Sequence, residues 1–286
     1  MRAVVDSYDE RILIGELYLP MERMVQYYGE HLDEIHMPFN FQLVTMATWE
    51  ASTIRQMVDA YEGSLPAGAW PNWVLSNHDR HRIATRVGRE QAKMAQMLLL
   101  TLRGTPTCYY GDELGMQNVA VPPELMQDPP GKDNPEHSRD PQRTPMQCDS
   151  GPNAGFCLPE VTPWLPVAED YQTYNVTVEQ QDAHSFLNLV RALLTFRRSS
   201  PVLSVGSQRS LNQPTPACFV YLREHSDQRC LVALNFSAQD QVVTLREQGQ
   251  GSVLLSTYLD YDGPVTLGEI RLRRNEGLLI EVEAML

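Results

Sequence analysis

The sequence predicts an α/β protein: a parallel sheet with crossover helices, then an antiparallel β-sandwich. Three observations carry this. From Arg11 to Gly111, strand-like apolar runs alternate with stretches of helical apolar spacing, the rhythm of βαβ units. Two carboxylates, Glu16 and Asp79, close strand-like runs and stand 63 residues apart. One βαβ step takes about 30 residues or more, so that interval holds two steps and sets both carboxylates at the C-terminal ends of alternate strands. After Ser200-Pro201 the texture changes to short apolar runs parted by turn residues every ten residues or roughly so, as in an antiparallel sandwich.

Taken in order, Met1 to Asp9 reads as the last turns of a helix rather than a natural start. Arg11 to Leu19 is an apolar run of strand length, rich enough in aliphatic residues to be buried on both faces. Its one carboxylate, Glu16, is costly to bury, so it either works or sits in a structural hydrogen-bond network. Met24 to Leu32 fits a loop or short helix, and Pro38 to Val44 a second strand. Ile54, Met57, Val58 and Tyr61 share one helix face over Ala51 to Tyr61. Pro71 to Asn77 is a third strand, followed at once by His78-Asp79. Glu90 to Leu102 is a helix apolar on most sides, hence buried, and Gly104 to Gly111 is a fourth strand. The polar run Ser76 to Arg82 at a strand end is hard to explain by packing, although a helix cap with surface charge could produce it. In a (β/α)8 barrel, such strand ends collect the catalytic groups.

Residues 111–182 form a long loop rich in Pro, Gly, Asp and Asn, a length that usually marks function or disorder. Its arginines could pair with the carboxylates or with sugar hydroxyls, or be ordinary surface charge. Ser185 to Arg198 returns to a helix. The sandwich strands are read at Cys218–Leu222, Cys230–Phe236, Gln241–Leu245, Val253–Thr257 and Gly277–Val282. No internal repeat is visible.

With 286 residues, 42% hydrophobic and 21% charged, the composition is that of an ordinary globular protein. A net charge of −13 argues against a nucleic-acid partner, which needs clustered Lys and Arg. The longest apolar stretch, Met97 to Leu102, is too short to cross a membrane. Five scattered cysteines give neither a disulfide framework nor a metal knuckle. They read as reduced, mostly buried hydrophobes, which favours the cytoplasm. Any targeting signal would lie upstream of Met1. Asn175-Val176-Thr177 matches a glycosylation triplet that means nothing without a secreted setting.

Ile14-Gly15-Glu16, Ser76-Asn77-His78-Asp79, the run Tyr109 to Met116, Gly131 to Asn134, the run Ser138 to Gln147, and Pro152 to Phe156 together resemble family 13 glycoside hydrolases, the α-amylase superfamily. They resemble most closely its α-glucosidase and oligo-1,6-glucosidase branch. The resemblance implies that the chain is the C-terminal half of a (β/α)8 TIM barrel (residues 1–200, strands 5–8 and the long loop) followed by a β-sandwich domain (residues 201–286). On the residues alone, Asp79 reads as a nucleophile. The resemblance instead makes Glu16 the general acid/base, Asp79 the stabiliser of the transition state, and His78 a substrate ligand. Arg143 follows as a substrate or loop contact. It implies a small α-glucoside substrate, no cofactor and no metal.

Two departures matter. Met146-Gln147-Cys148-Asp149 has Cys where the branch usually has Trp. More important, the branch's nucleophile sits upstream of the acid/base in a Gly-x-Arg-x-Asp motif, and none of the fifteen residues before Glu16 fits it. The chain alone is therefore expected to be inactive, with the N-terminal half of its barrel as its missing partner. A non-catalytic sugar-binding or transport-associated relative, and a trehalose- or sucrose-acting member, are the competing expectations.

Overall fold

The computed structural model describes residues 1–246 and 249–282. Helices are α1 Arg2–Val5, α2 Met21–Met24, α3 Gln42–Thr45, α4 Ala51–Ser64, α5 Ile83–Thr101, α6 Pro129–Asp133, α7 Val176–Gln181, α8 Phe186–Ser199 and α9 Pro201–Ser204. The early strands are β1 Ile14–Gly15, β2 Met37–Pro38, β3 Asn72–Val74 and β4 Thr105–Thr107. β1 pairs parallel with β2, and β3 parallel with β4.

The expected run Arg11 to Leu19 keeps only two ladder residues, and it is not buried on both faces. Ile12 is 63% and Ile14 40% exposed. Exposed Ile12, Ile14, Glu16 and Tyr18 alternate with half-buried Leu13, Leu17 and Leu19 and buried Gly15, so one face is covered and the other open, and among the described residues β1 has a strand neighbour on one edge only. Pro38 to Val44 is likewise corrected. The strand ends at Pro38, and Asn40 Oδ1 accepts the Gln42 N–H at 2.9 Å, a local turn that starts α3 instead. The expected Glu90 to Leu102 helix begins earlier, at Ile83, and is interrupted by Gly88 at φ 78°. The apolar period restarts beyond that break, which is why the sequence pattern starts there.

The C-terminal strands are β5 Ser207–Ser210, β6 Cys218–His225, β7 Gln228–Asn235, β8 Gln241–Val243, β9 Gln250–Ser256, β10 Gly263–Thr266, β11 Ile270–Leu272 and β12 Gly277–Val282. Six form an antiparallel sheet ordered β10-β9-β12-β7-β6-β5, and β11 pairs with β8. Along β6, Cys218, Val220 and Leu222 join an apolar cluster shared with β8 and β11, while Phe219 and Tyr221 join the cluster formed with α4, α5 and α8. Side chains alternate across a strand, so this sheet is buried on both faces. The larger cluster thus runs without a gap from helices before residue 200 to strands after it.

Arginines close the C-terminal end of α5, whose last carbonyls lack helical partners. Arg197 donates to the Leu100 carbonyl (2.8 Å), to that of Leu102 (3.1 Å) and to that of Gly104. Buried Arg223 donates to that of Thr101. Of the five cysteines only Cys218 and Cys230 are buried, and Cys108 is exposed. The expectation of mostly buried thiols fails because Cys108, Cys148 and Cys157 lie in loops.

Candidate active site

β1 ends at Gly15 and β3 at Val74, so Glu16 and His78-Asp79 follow the C-terminal ends of two strands that belong to separate parallel pairs, β1-β2 and β3-β4. Three side-chain bonds fix the second exit. Asn77 Oδ1 accepts the Asp79 N–H (3.0 Å), and Ser76 Oγ accepts that of Ile83 (2.8 Å). Asn77 Nδ2 donates to the Tyr18 hydroxyl at 2.8 Å, tying the two exits together. Tyr18 is itself stacked on Phe41, ring centroids 4.2 Å apart.

The result is convergence. One donor atom from each of Glu16, His78 and Asp79 lies within 4.8 Å of the others. Glu16 and His78 are exposed and Asp79 is half-buried. They are the one group of this kind close enough among the described residues to hold a metal ion. Two guanidiniums against Asp79 oppose a cation there by charge repulsion.

Those guanidiniums come from the long loop. Arg143 Nη2 donates to Asp79 Oδ1 at 3.0 Å and its Nε to the His78 carbonyl at 2.8 Å. Arg139 Nη1 donates to the same Asp79 oxygen at 3.1 Å. All four residues expected at the site, Glu16, His78, Asp79 and Arg143, are therefore brought together. Sequence reasoning missed Asp128 and did not single out Arg139. Asp128 is buried and accepts from Arg139 Nη2 (2.6 Å), Nε (2.9 Å) and backbone N–H (2.9 Å). That hydrogen bonding holds its carboxyl down at about 2. The only signal for this pair was the number of charges in a long loop.

Behind the site, buried Arg82 lies against the Tyr109 and Tyr110 rings, 4.9 and 4.7 Å from their centroids, and approaches the buried Asp112 carboxylate to 4.0 Å. Burial pushes that carboxyl up to about 7. The glycosylation triplet is not a site: Asn175 is fully buried, and its Oδ1 accepts the Val178 N–H at 2.9 Å, capping α7.

Among the described residues no helix is long and apolar enough to cross a membrane. Residues 1–206 match the α-amylase catalytic domain. The chain is 34% identical over 255 residues to an α-glucosidase of Apis mellifera, covering 86% of this chain and 44% of that enzyme. It is also 34% identical over 276 residues to the amino acid transporter heavy chain SLC3A1 of Mus musculus, covering 91% of this chain and 38% of that one. Among solved structures, the α-glucosyl transfer enzyme XgtA superposes with a TM-score of 0.86 at 32% identity, covering 99% of this chain and 53% of that one. The chain spans about half the length of these relatives or less. The motifs at the two strand exits, the long loop and the match over residues 1–206 agree, and the chain belongs to the α-amylase family.

Proposed function

We propose that this chain carries the acid/base side of the active centre of a glycoside hydrolase of α-glucosidase type. Its substrates are short α-glucosides of the maltose or isomaltose kind, cleaved by retaining double displacement. The two parallel strand pairs are then four successive strands of a (β/α)8 barrel. The barrel's other strands, and the nucleophilic carboxylate, belong to a segment outside these residues. The barrel part ends near residue 200, and the sandwich follows.

In the first step the external carboxylate attacks the anomeric carbon, the glycosidic C–O bond breaks, and Glu16 gives its proton to the leaving oxygen. In the second, Glu16 takes a proton from water as that water attacks the anomeric carbon and frees the carboxylate. Asp79 sits where it can hold sugar hydroxyls and offset the oxocarbenium charge. His78 offers a hydrogen bond to the ring, and Arg143 orients Asp79.

The observation that carries this reading is the meeting of Glu16, His78 and Asp79 within 4.8 Å. The test is hydrolysis of maltose and isomaltose by the protein including the upstream segment, with product anomers followed by NMR. The α-anomer should appear first, and Glu16→Gln should abolish turnover. Release of the β-anomer first would overturn the retaining mechanism.

The similarity to a transporter heavy chain favours a second reading, in which the fold persists without turnover. A pure binding protein has no need of an acid/base carboxylate, and Glu16 is present. Sugar binding without hydrolysis by the longer protein would decide for the second reading. Product analysis with sucrose and trehalose separates the remaining members of the superfamily.

A further inference from the structure

We infer that Tyr109 and Tyr110 are positioning residues for Arg143, fixing the backbone on both sides of it through their hydroxyls. This rests on the reading of Arg143 as the group that orients Asp79 in a saccharide-binding site. Tyr109 Oη donates to the Gln142 carbonyl at 3.1 Å, and Tyr110 Oη to the Thr144 carbonyl at 2.7 Å. Those are the two chain neighbours of Arg143. Gln142 and Thr144 are buried. Arg143 between them is half-buried and reaches Asp79 at 3.0 Å and the His78 carbonyl at 2.8 Å.

Residues 143–151 form no helix or strand, so no repeating ladder of backbone bonds fixes this stretch. The two hydroxyls supply the restraint instead. Burial raises the pKa of the Tyr109 hydroxyl above its ordinary value, so it keeps its proton and stays a donor.

The two rings are held in turn from within. They meet edge to face with centroids 4.7 Å apart, and the buried Arg82 guanidinium lies 4.9 and 4.7 Å from them. A cation near ring faces is attracted by their negative charge, more strongly away from water. Arg82 Nη1 also donates to the Tyr110 carbonyl. The next residue, Gly111, is left-handed at φ 82°, and a Cβ there would stand 2.9 Å from Arg82 Nη1 and collide with Met116 Sδ. Only glycine lets the chain pass this close.

A second tie runs alongside. The Arg82 N–H donates to Asn118 Oδ1 at 3.0 Å, and Asn118 Nδ2 donates to Gln142 Oε1 at 3.3 Å. Arg82 belongs to the same strand exit as Asp79. That exit therefore braces, through Arg82 and the two tyrosines, the loop residue that binds Asp79 from the other side. The circuit is closed.

Tyr109→Phe combined with Tyr110→Phe keeps both rings and removes both hydroxyls. A misplacement of about 1 Å can cost about a hundredfold in rate. In the longer protein the double variant should lower kcat/KM for maltose about tenfold. In an Arg143→Ala background the same change should cost less than about twofold, because nothing is left to position. Equal losses in the two backgrounds, or no loss in the native one, overturn the inference. Amide hydrogen exchange at residues 142–144 gives a readout that needs no turnover, and it should quicken at least about fivefold in the double variant. Unmoved exchange there overturns the inference whatever the kinetics. A longer protein that hydrolyses no maltose sinks the functional reading alone, and the exchange measurement then decides the positioning by itself.

Discussion

Asp79 accepts from two guanidiniums at one oxygen, and each guanidinium is held by something else: Arg139 by Asp128, Arg143 by the His78 carbonyl. This is a fork geometry that lysine cannot reproduce. Arg143→Lys in the longer protein should therefore lower kcat/KM for maltose by about ten- to a hundredfold, a loss of roughly 1.4–2.8 kcal/mol. Undiminished kcat/KM would remove Arg143 from the machinery. A second residue-scale prediction concerns Glu179, a buried residue of α7 whose carboxylate meets the first turn of α8. Its Oε2 accepts the Leu187 N–H at 2.8 Å, and Oε1 has no partner among the described residues. Burial pushes this carboxyl up to about 7 from an ordinary 4.5. A carboxyl whose folded pKa is raised adds stability below its unfolded value, and that stability is lost as pH rises through the folded one. Thermal stability should thus fall between pH 4.5 and 7 on this account, and Glu179→Gln should flatten that fall by on the order of 2 kcal/mol. An unchanged slope in the variant's melting profile would refute it. Glu16, His78 and Asp79 were legible because charge at the end of an apolar run is anomalous. Asp128 and Arg139 were not, since an irregular loop has no period against which a residue can stand out.

At the scale of elements, the pattern was most legible where apolar runs were long. α4 and α8, and strands β6, β7 and β12, fall within a few residues of where apolar spacing puts them, while α5 does so only beyond Gly88. β5, β10 and β11 went unseen because each has only three or four residues and alternates with exposed positions. The alternation expected of a sandwich was also incomplete as a description. β7 is apolar at successive positions because one face packs on helices and the other on the small sheet. Leu231 faces the β8 and β11 cluster and Leu234 the helical one, and both are buried. Leu231→Ala and Leu234→Ala should each cost about 2–5 kcal/mol in denaturant unfolding. A strand with a solvent face would make one of the two nearly silent, so a loss below about 1 kcal/mol at either position would refute the two-sided packing.

For the whole molecule, the decisive feature is the open edge of the parallel pairs. β1 has β2 on one side and no strand on the other, and β4 has only β3, among the described residues. Ile12, Ile14 and Tyr18 are exposed near the β1 edge. Unpaired strand edges with exposed apolar residues invite pairing with another chain segment. The relatives are about twice as long as this chain or longer. If the upstream segment supplies the covering strands and the nucleophile, two consequences follow for the chain used by itself. It should hydrolyse no α-glucoside, since Glu16 can protonate a leaving oxygen but nothing here is assigned to capture the anomeric carbon. Mixed with a separately produced upstream segment, it should form a complex that sediments as one species and regains maltose hydrolysis. Ile14→Lys should block that assembly by placing a charge at the strand seam. Glu16→Gln should leave the assembly intact and remove the activity. Glu16-dependent hydrolysis by the chain alone would overturn the division of the site between two segments. It would mean that a carboxylate within these residues, Asp79 first among them, performs the attack.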